Sequence, residues 1–301
     1  MKVLHGLWRL SKNTDLFLAW VKLNKRSRMA TMTWFSDIFG KEKVIIASLY
    51  LPPLPGTPDY RYGRCLDEFV EYTHNELEAL QLGGMDAVSI GNQQDWPYQV
   101  GVGHETTALM TAIIREAMHG LSIPFGITVF WDDLAAVAVA KATRASFVRG
   151  VFRGVYAGEM GLISLNAGDS ARLRKTIDAD NLKFMYMLRP ILGRAVGERS
   201  LKAEVKDAIW GSKPDAFALC GPVPGEAPTF EELRMVSDTA KSLPVVMNNG
   251  ANPKNIGEVF SVCDGAVIGT HLRKDHNPAM PFDRYAVEEF MDLVNKKRTA
   301  E

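Results

Sequence analysis

The chain has 301 residues, 47% hydrophobic and 23% charged, a composition that excludes disordered, fibrous and low-complexity classes. Thirty-five basic residues balance 35 acidic ones, so charge makes no case for a nucleic-acid partner. Three cysteines, Cys65, Cys220 and Cys263, odd in number and without metal-ligand spacing, point to a reducing, cytoplasmic setting and no disulfide framework.

The N-terminal residues 1–33 read as an extension. A short apolar patch at residues 16–20 precedes the basic cluster Lys22, Lys25, Arg26 and Arg28. It is too short for a secretory signal and lacks a clear cleavage site. A disordered or weakly helical extension, or a start codon placed too early given Met29 and Met32, is the preferred reading, with an organelle-targeting presequence as the alternative. Membrane contact, if any, is peripheral.

From Lys43 onward, apolar β-rich runs alternate with helical patterns. Strands are expected at 44–51, 87–92, 124–131, 146–152, 183–189, 216–221, 245–250 and 265–270, most of them continuous apolar runs of the kind covered on both faces. Helices are expected at 65–82, 105–119, 133–144, 200–210, 229–242, 253–262 and 283–297. Thr229 before "FEEL" signals a capping box, and Asn252 before Pro253 signals an N-cap. Eight strand–helix units over ~250 residues fit an α/β fold, a closed (β/α)8 barrel of the TIM type, as one domain over 34–301. An open doubly wound sheet would carry a glycine-rich turn after its first strand. Here that turn is "PPLPGTPDYR", and the barrel is preferred.

A barrel keeps its site at the C-terminal ends of its strands. The seventh and eighth end in "NNGAN" and "GTH", so bare amides of Gly250, Asn252, Gly269 and Thr270, with Asn249, are expected to bind a phosphate. Turn glycines needed for positive φ are the competing explanation. Among polar residues at the other strand ends, Asp132 and Asp95 are the candidate acid/base groups, and Asp133 the expected cap of the following helix. Arg149 shares a strand face with Phe147 and Val151, so it is expected to be buried against a carboxylate or an anionic substrate. Asn92 and Arg189 complete the expected binding set, while His271 and His104 are possible proton carriers. Cys220 reads as a buried strand-end residue rather than a nucleophile. No HxH, HExxH or CxxC spacing supports a transition-metal site; no cofactor is required, and a magnesium ion held by Asp132 and a substrate phosphate is compatible with the sequence.

The stretches "IIASLYLPPLPGTPDY", "GGMDAVSIGNQQDWPY", "FVRGVF", "NGANPKNI" and "VIGTHLRKD…PFDRYAVEEFM" resemble the BtpA/SgcQ family over roughly residues 34–295. That resemblance implies a ribulose-phosphate-binding-type barrel. The chain departs from the family pattern at Tyr50 (His), Gly91 (Glu), Thr128 and Asp132 (Asn), and Asn249-Gly250 (Ser-Gly). The expected function is an enzyme acting on a phosphorylated sugar or nucleoside-derived metabolite. The alternative, implied by one family name, is a non-catalytic stabilising factor for a membrane complex such as photosystem I. Association of such barrels through their outer helices makes a homo-oligomer an expectation as well.

Overall fold

The computed structural model describes residues 33–197 and 199–299. The basic cluster and apolar patch of the N-terminal extension lie outside the described residues. Eight parallel strands close into a barrel: β1 (Val44–Tyr50), β2 (Ala87–Gly91), β3 (Phe125–Thr128), β4 (Phe147–Gly150), β7 (Lys183–Leu188), β9 (Ala216–Leu219), β10 (Val245–Met247) and β11 (Gly265–Ile268). Each coincides with an expected strand. β1 closes the ring on β11 with Val44 opposite Gly265, and pairs β2 on its other side. Both strand faces are buried, which is why the runs do not alternate.

Helices α2 (Leu66–Leu82), α3 (His104–Ala117), α4 (Asp133–Thr143), α5 (Ala167–Thr176), α6 (Leu201–Asp207), α7 (Phe230–Ala240), α8 (Ile256–Val262) and α9 (Arg284–Thr299) form the outer layer. The capping box at Thr229 is present: its hydroxyl accepts from Glu232 N–H at 3.2 Å while the Glu232 carboxylate accepts from Thr229 N–H at 3.1 Å. The expected cap at Asn252 is not. Asn252 instead folds its side chain into the turn, accepting from Lys254 N–H at 2.9 Å, and α8 starts only at Ile256.

Three features were not expected. Helix α1 (Thr33–Phe39) plugs the N-terminal end of the barrel. Phe35 and Phe39 are buried there, Phe39 edge-on to Phe147 at 5.9 Å, and the Trp34 indole donates to the Asp215 carbonyl at 3.0 Å. Gly126 makes room for this packing, since a Cβ there would lie 2.4 Å from the Phe147 ring. Helix α5 fills the crossover after β4. At the opposite end, excursions after β4 and β7 supply β5 (Gly154–Gly158), β6 (Gly161–Leu165) and β8 (Gly193–Ala195), which pair as an antiparallel sheet in the order β6-β5-β8. Tyr156 of this sheet packs on Trp131 at 5.8 Å, and Gly193 admits the Trp131 ring. The small sheet therefore roofs part of the mouth.

Candidate functional site

A cavity of about 570 Å³ opens at the C-terminal mouth, well within the range for small-molecule sites. Its floor is Arg149. The β4 pleat aims this side chain into the barrel interior, as its alternation with Phe147 and Val151 implies. It is 5% exposed and held by three neutral groups: Nε donates to Ser89 Oγ at 3.1 Å, one terminal nitrogen to Asn248 Oδ1 at 2.8 Å, and the other to Ser48 Oγ at 3.2 Å. Among the described residues no carboxylate pairs with it. Burial accordingly pulls its pKa down. A guanidinium in this state is a charge waiting for an anion.

The β10 and β11 loops form one side. Gly250, at φ +83°, turns the chain where a Cβ would strike Ala227 backbone at 2.4 Å, so this position demands glycine. Asn249 and Asn252 spend their side-chain amides on shaping these loops: Asn249 Oδ1 accepts from Gly221 N–H at 2.8 Å, and Asn252 Nδ2 donates to the Gly250 carbonyl at 3.1 Å. Among the described residues, the N–H groups of Gly250, Ala251, Gly269 and Thr270 donate to no protein acceptor. These four residues all line the cavity.

Across the mouth stand Phe130 and Trp131, after β3, with Gln93 and Trp96 after β2. Phe130 is backed by the stacked ring of Tyr98 at 4.4 Å, and the Tyr98 hydroxyl donates to the Gln93 carbonyl at 2.7 Å. Trp131 sits at φ +59°, a left-handed conformation that a bulky residue adopts only when its surroundings hold it there. Its indole N–H and Gln93 Oε1 are buried without a hydrogen-bond partner among the described residues. Each such orphan costs about 1–3 kcal/mol.

Of the expected site residues, the structure brings Arg149, Asn249, Gly250, Asn252, Gly269 and Thr270 to one cavity. It does not bring Asp132, Asp95, Asn92 or Arg189 there. Asp132, not Asp133, is the cap of α4: it accepts from Ala135 N–H at 2.9 Å with one oxygen and from Val102 N–H at 2.9 Å with the other. Both oxygens are spent on backbone, which also weighs against it as a magnesium ligand. Asp95 accepts from Leu54 N–H at 2.8 Å and from Asn92 Nδ2 at 3.1 Å, while Asn92 Oδ1 accepts from Phe130 N–H at 2.8 Å. The two side chains staple the loops after β1, β2 and β3 behind the cavity wall. Arg189 points outward and pairs with Glu232 on α7. Among the described residues no group of three or more His, Cys, Asp or Glu is placed to hold a metal.

Several lining residues lay outside the expected set. Ser48 and Tyr50 end β1, and Asn248 bridges Arg149 to Cys220 Sγ at 3.1 Å. The Cys220 thiol is pushed up to about 11 by burial and is not a nucleophile in this state. His271 and His276 line the rim with rings stacked 4.5 Å apart; burial and then the neighbouring His276 hold the His271 pKa down, favouring a neutral imidazole. His104, at the start of α3, is not among the residues lining the cavity.

Asp133 is fully buried, accepting from Val151 N–H at 3.0 Å and Phe152 N–H at 2.6 Å, and so clamps the turn leaving β4. Burial pushes its pKa up to about 7 against the pull of those two donors. The folded state therefore binds this proton more tightly than the unfolded chain does. Its contribution to stability is full below about pH 4 and is lost as pH rises through about 7. Urea unfolding between pH 4 and 7.5 is expected to show that decline. The Asp133→Ala variant, though less stable at every pH, is expected to show a flatter slope; an unchanged slope refutes the assignment.

A sequence model described as "BtpA family" matches residues 41–296. The chain belongs to the BtpA family. The sgc region protein SgcQ of Escherichia coli is 33% identical over 267 residues, covering 89% of this chain and all of that one. The photosystem I biogenesis protein BtpA of Synechocystis is 29% identical over 262 residues, covering 85% and 89%. Among solved structures, (S)-3-O-geranylgeranylglyceryl phosphate synthase from Thermoplasma acidophilum, in complex with sn-glycerol-1-phosphate, superimposes with a TM-score of 0.55 at 11% identity, covering 87% of this chain and 96% of that one. Phosphoribosyl anthranilate isomerase from Thermococcus kodakaraensis gives 0.51 at 16% identity, covering 84% and 99%. At such identities these two establish that this BtpA-family chain is a TIM barrel and nothing finer.

Proposed function

We propose that this BtpA-family barrel is an enzyme acting on a phosphorylated small molecule bound at its C-terminal mouth. The observation that carries this is the charge of Arg149, buried on the cavity floor among neutral partners. The unused amides of Gly250, Ala251, Gly269 and Thr270 support it, because they offer donors where the β10 and β11 loops of such barrels bind phosphate. In this reading the amides and Arg149 together hold the phosphorylated ligand, and Arg149 also steadies negative charge at the reacting centre. Proton transfer falls to the rim imidazoles rather than to Asp132 and Asp95, whose oxygens are engaged.

The assembly role in the Synechocystis relative's name is the competing reading for this chain. A thermal-shift series separates the two. A phosphorylated ligand at a hundredfold excess over Kd is expected to stabilise by ~2.7 kcal/mol, roughly 5–10 °C. Gly269→Val is the variant of choice. A Cβ there meets nothing nearer than Tyr50 Oη at 3.4 Å, an ordinary contact, whereas at Gly250 it would strike the Ala227 backbone at 2.4 Å. The shift is expected to vanish in Gly269→Val. Silence of sugar phosphates and inorganic phosphate alike with the wild-type protein favours the scaffold.

A further inference from the structure

The loops after β10 and β11 are not the whole wall of the anion space, because β1 is the ring neighbour of β11. Ser48 and Tyr50 lie two residues apart at the end of β1, so both side chains leave the same, inward face of the strand. Ser48 Oγ accepts from a terminal nitrogen of Arg149 at 3.2 Å. Tyr50 stands one step nearer the mouth, half-buried, and lines the cavity. Its hydroxyl faces the Gly269 backbone: Oη is 3.4 Å from where a Cβ on Gly269 would stand. Among the described residues this hydroxyl makes no hydrogen bond. We infer that Tyr50 is an anion-binding residue of the site, its hydroxyl donating to the same phosphate as the β10 and β11 amides and Arg149. This rests on the anion reading above and adds a side-chain donor from outside the expected binding set.

Three observations carry it. The first is the character of the groups around the hydroxyl. The amides of Gly250, Ala251, Gly269 and Thr270 are unspent donors. The Arg149 guanidinium has five N–H groups, and its three bonds leave one on each terminal nitrogen. None of these donors can accept the Tyr50 proton, whereas a phosphate oxygen can, in a short charge-assisted bond. The second is that the ring is already fixed. The Arg273 guanidinium lies over it, 5.2 Å from the centroid, and is itself held by Glu76 at 3.0 Å and by the Met280 carbonyl at 2.7 Å. A hydroxyl on a ring so placed loses little freedom when a ligand binds. The third is that the oxygen does nothing for the fold. A phenylalanine ring would pack on Arg273 equally well, so the hydroxyl finds its use in the cavity it faces.

The test is titration calorimetry of the full chain with inorganic phosphate and ribose 5-phosphate at constant ionic strength, accompanied by urea unfolding without ligand. Tyr50→Phe keeps the ring over Arg273 and removes only the oxygen. It is expected to weaken both probes about tenfold or more, and equally, because the lost bond goes to the phosphate they share. The urea midpoint is expected to match that of the wild type. If inorganic phosphate binds Tyr50→Phe as tightly as the wild type, the assignment is overturned while the anion site stands, whether or not ribose 5-phosphate weakens. A lowered urea midpoint overturns it as well, by making the hydroxyl a structural group. If the wild-type protein binds neither probe, the anion reading fails first and Tyr50 falls with it.

Discussion

Arg149→Met is expected to leave the barrel as stable as the wild type, or more so, while weakening phosphorylated ligands about 100-fold or more. The stability half follows from the environment. A buried guanidinium without a carboxylate carries its desolvation cost uncompensated, and an apolar side chain of similar length removes it. Against that gain, Asn248 Oδ1 loses its donor, which is worth about 1–3 kcal/mol. The affinity half follows because charge-assisted hydrogen bonds in a desolvated site contribute about 1.5–3 kcal/mol each, and the planar fork can make two. Arg149→Lys keeps the charge and loses the fork, so it is expected to recover only part of the affinity. Chemical denaturation and calorimetry on the three proteins decide the matter. A large fall in stability with unchanged affinity would make Arg149 a structural residue and move the anion elsewhere.

Glu76→Ala is expected to destabilise the barrel severely. Glu76 and Arg273 are 3% and 1% exposed, with the guanidinium 3.0 Å from Glu76 Oε2. Glu76 Oε1 accepts from Phe282 N–H at 3.0 Å, Arg273 donates to the Met280 carbonyl at 2.7 Å, and its guanidinium lies 4.0 Å over the Phe282 ring. These contacts bind the loop after β11 to α2. Removing the carboxylate strands a buried cation at a cost of about 3–5 kcal/mol, roughly 10 °C in Tm. Ligand affinity is expected to drop as well, because the same loop carries Thr270, His271 and His276 into the cavity. Asp180→Ala serves as the control. Its pair with Lys175 is exposed and screened by solvent, and its loss is expected to leave stability essentially unchanged. Equal effects of the two substitutions would refute the distinction between them.

The eight barrel strands were legible because each is apolar on both faces, a property a short run of residues displays by itself. The glycine-ended strands were legible for a similar reason, since small residues at a strand end are visible without knowing their neighbours. The small sheet was not found, although Gly158 and Gly161 bracket a hairpin between short alternating runs. Its half-exposed strands lack the continuous apolar signature that marked the others. The exchange of roles between Asp132 and Asp133 turns on one residue of register. Only the placement of the β4 turn shows that Asp133 meets the Val151 and Phe152 amides. Asp95 fails as a cavity residue because its partner Leu54 is 41 positions away, and the Glu76–Arg273 pair spans 197. Contacts at such separations are decided by packing and leave no local trace in the chain.

The plug made by α1 turns the barrel into a cup with a single rim. With the base sealed by Phe35 and Phe39, a ligand resting on Arg149 has, among the described residues, one way in and must leave by the same way.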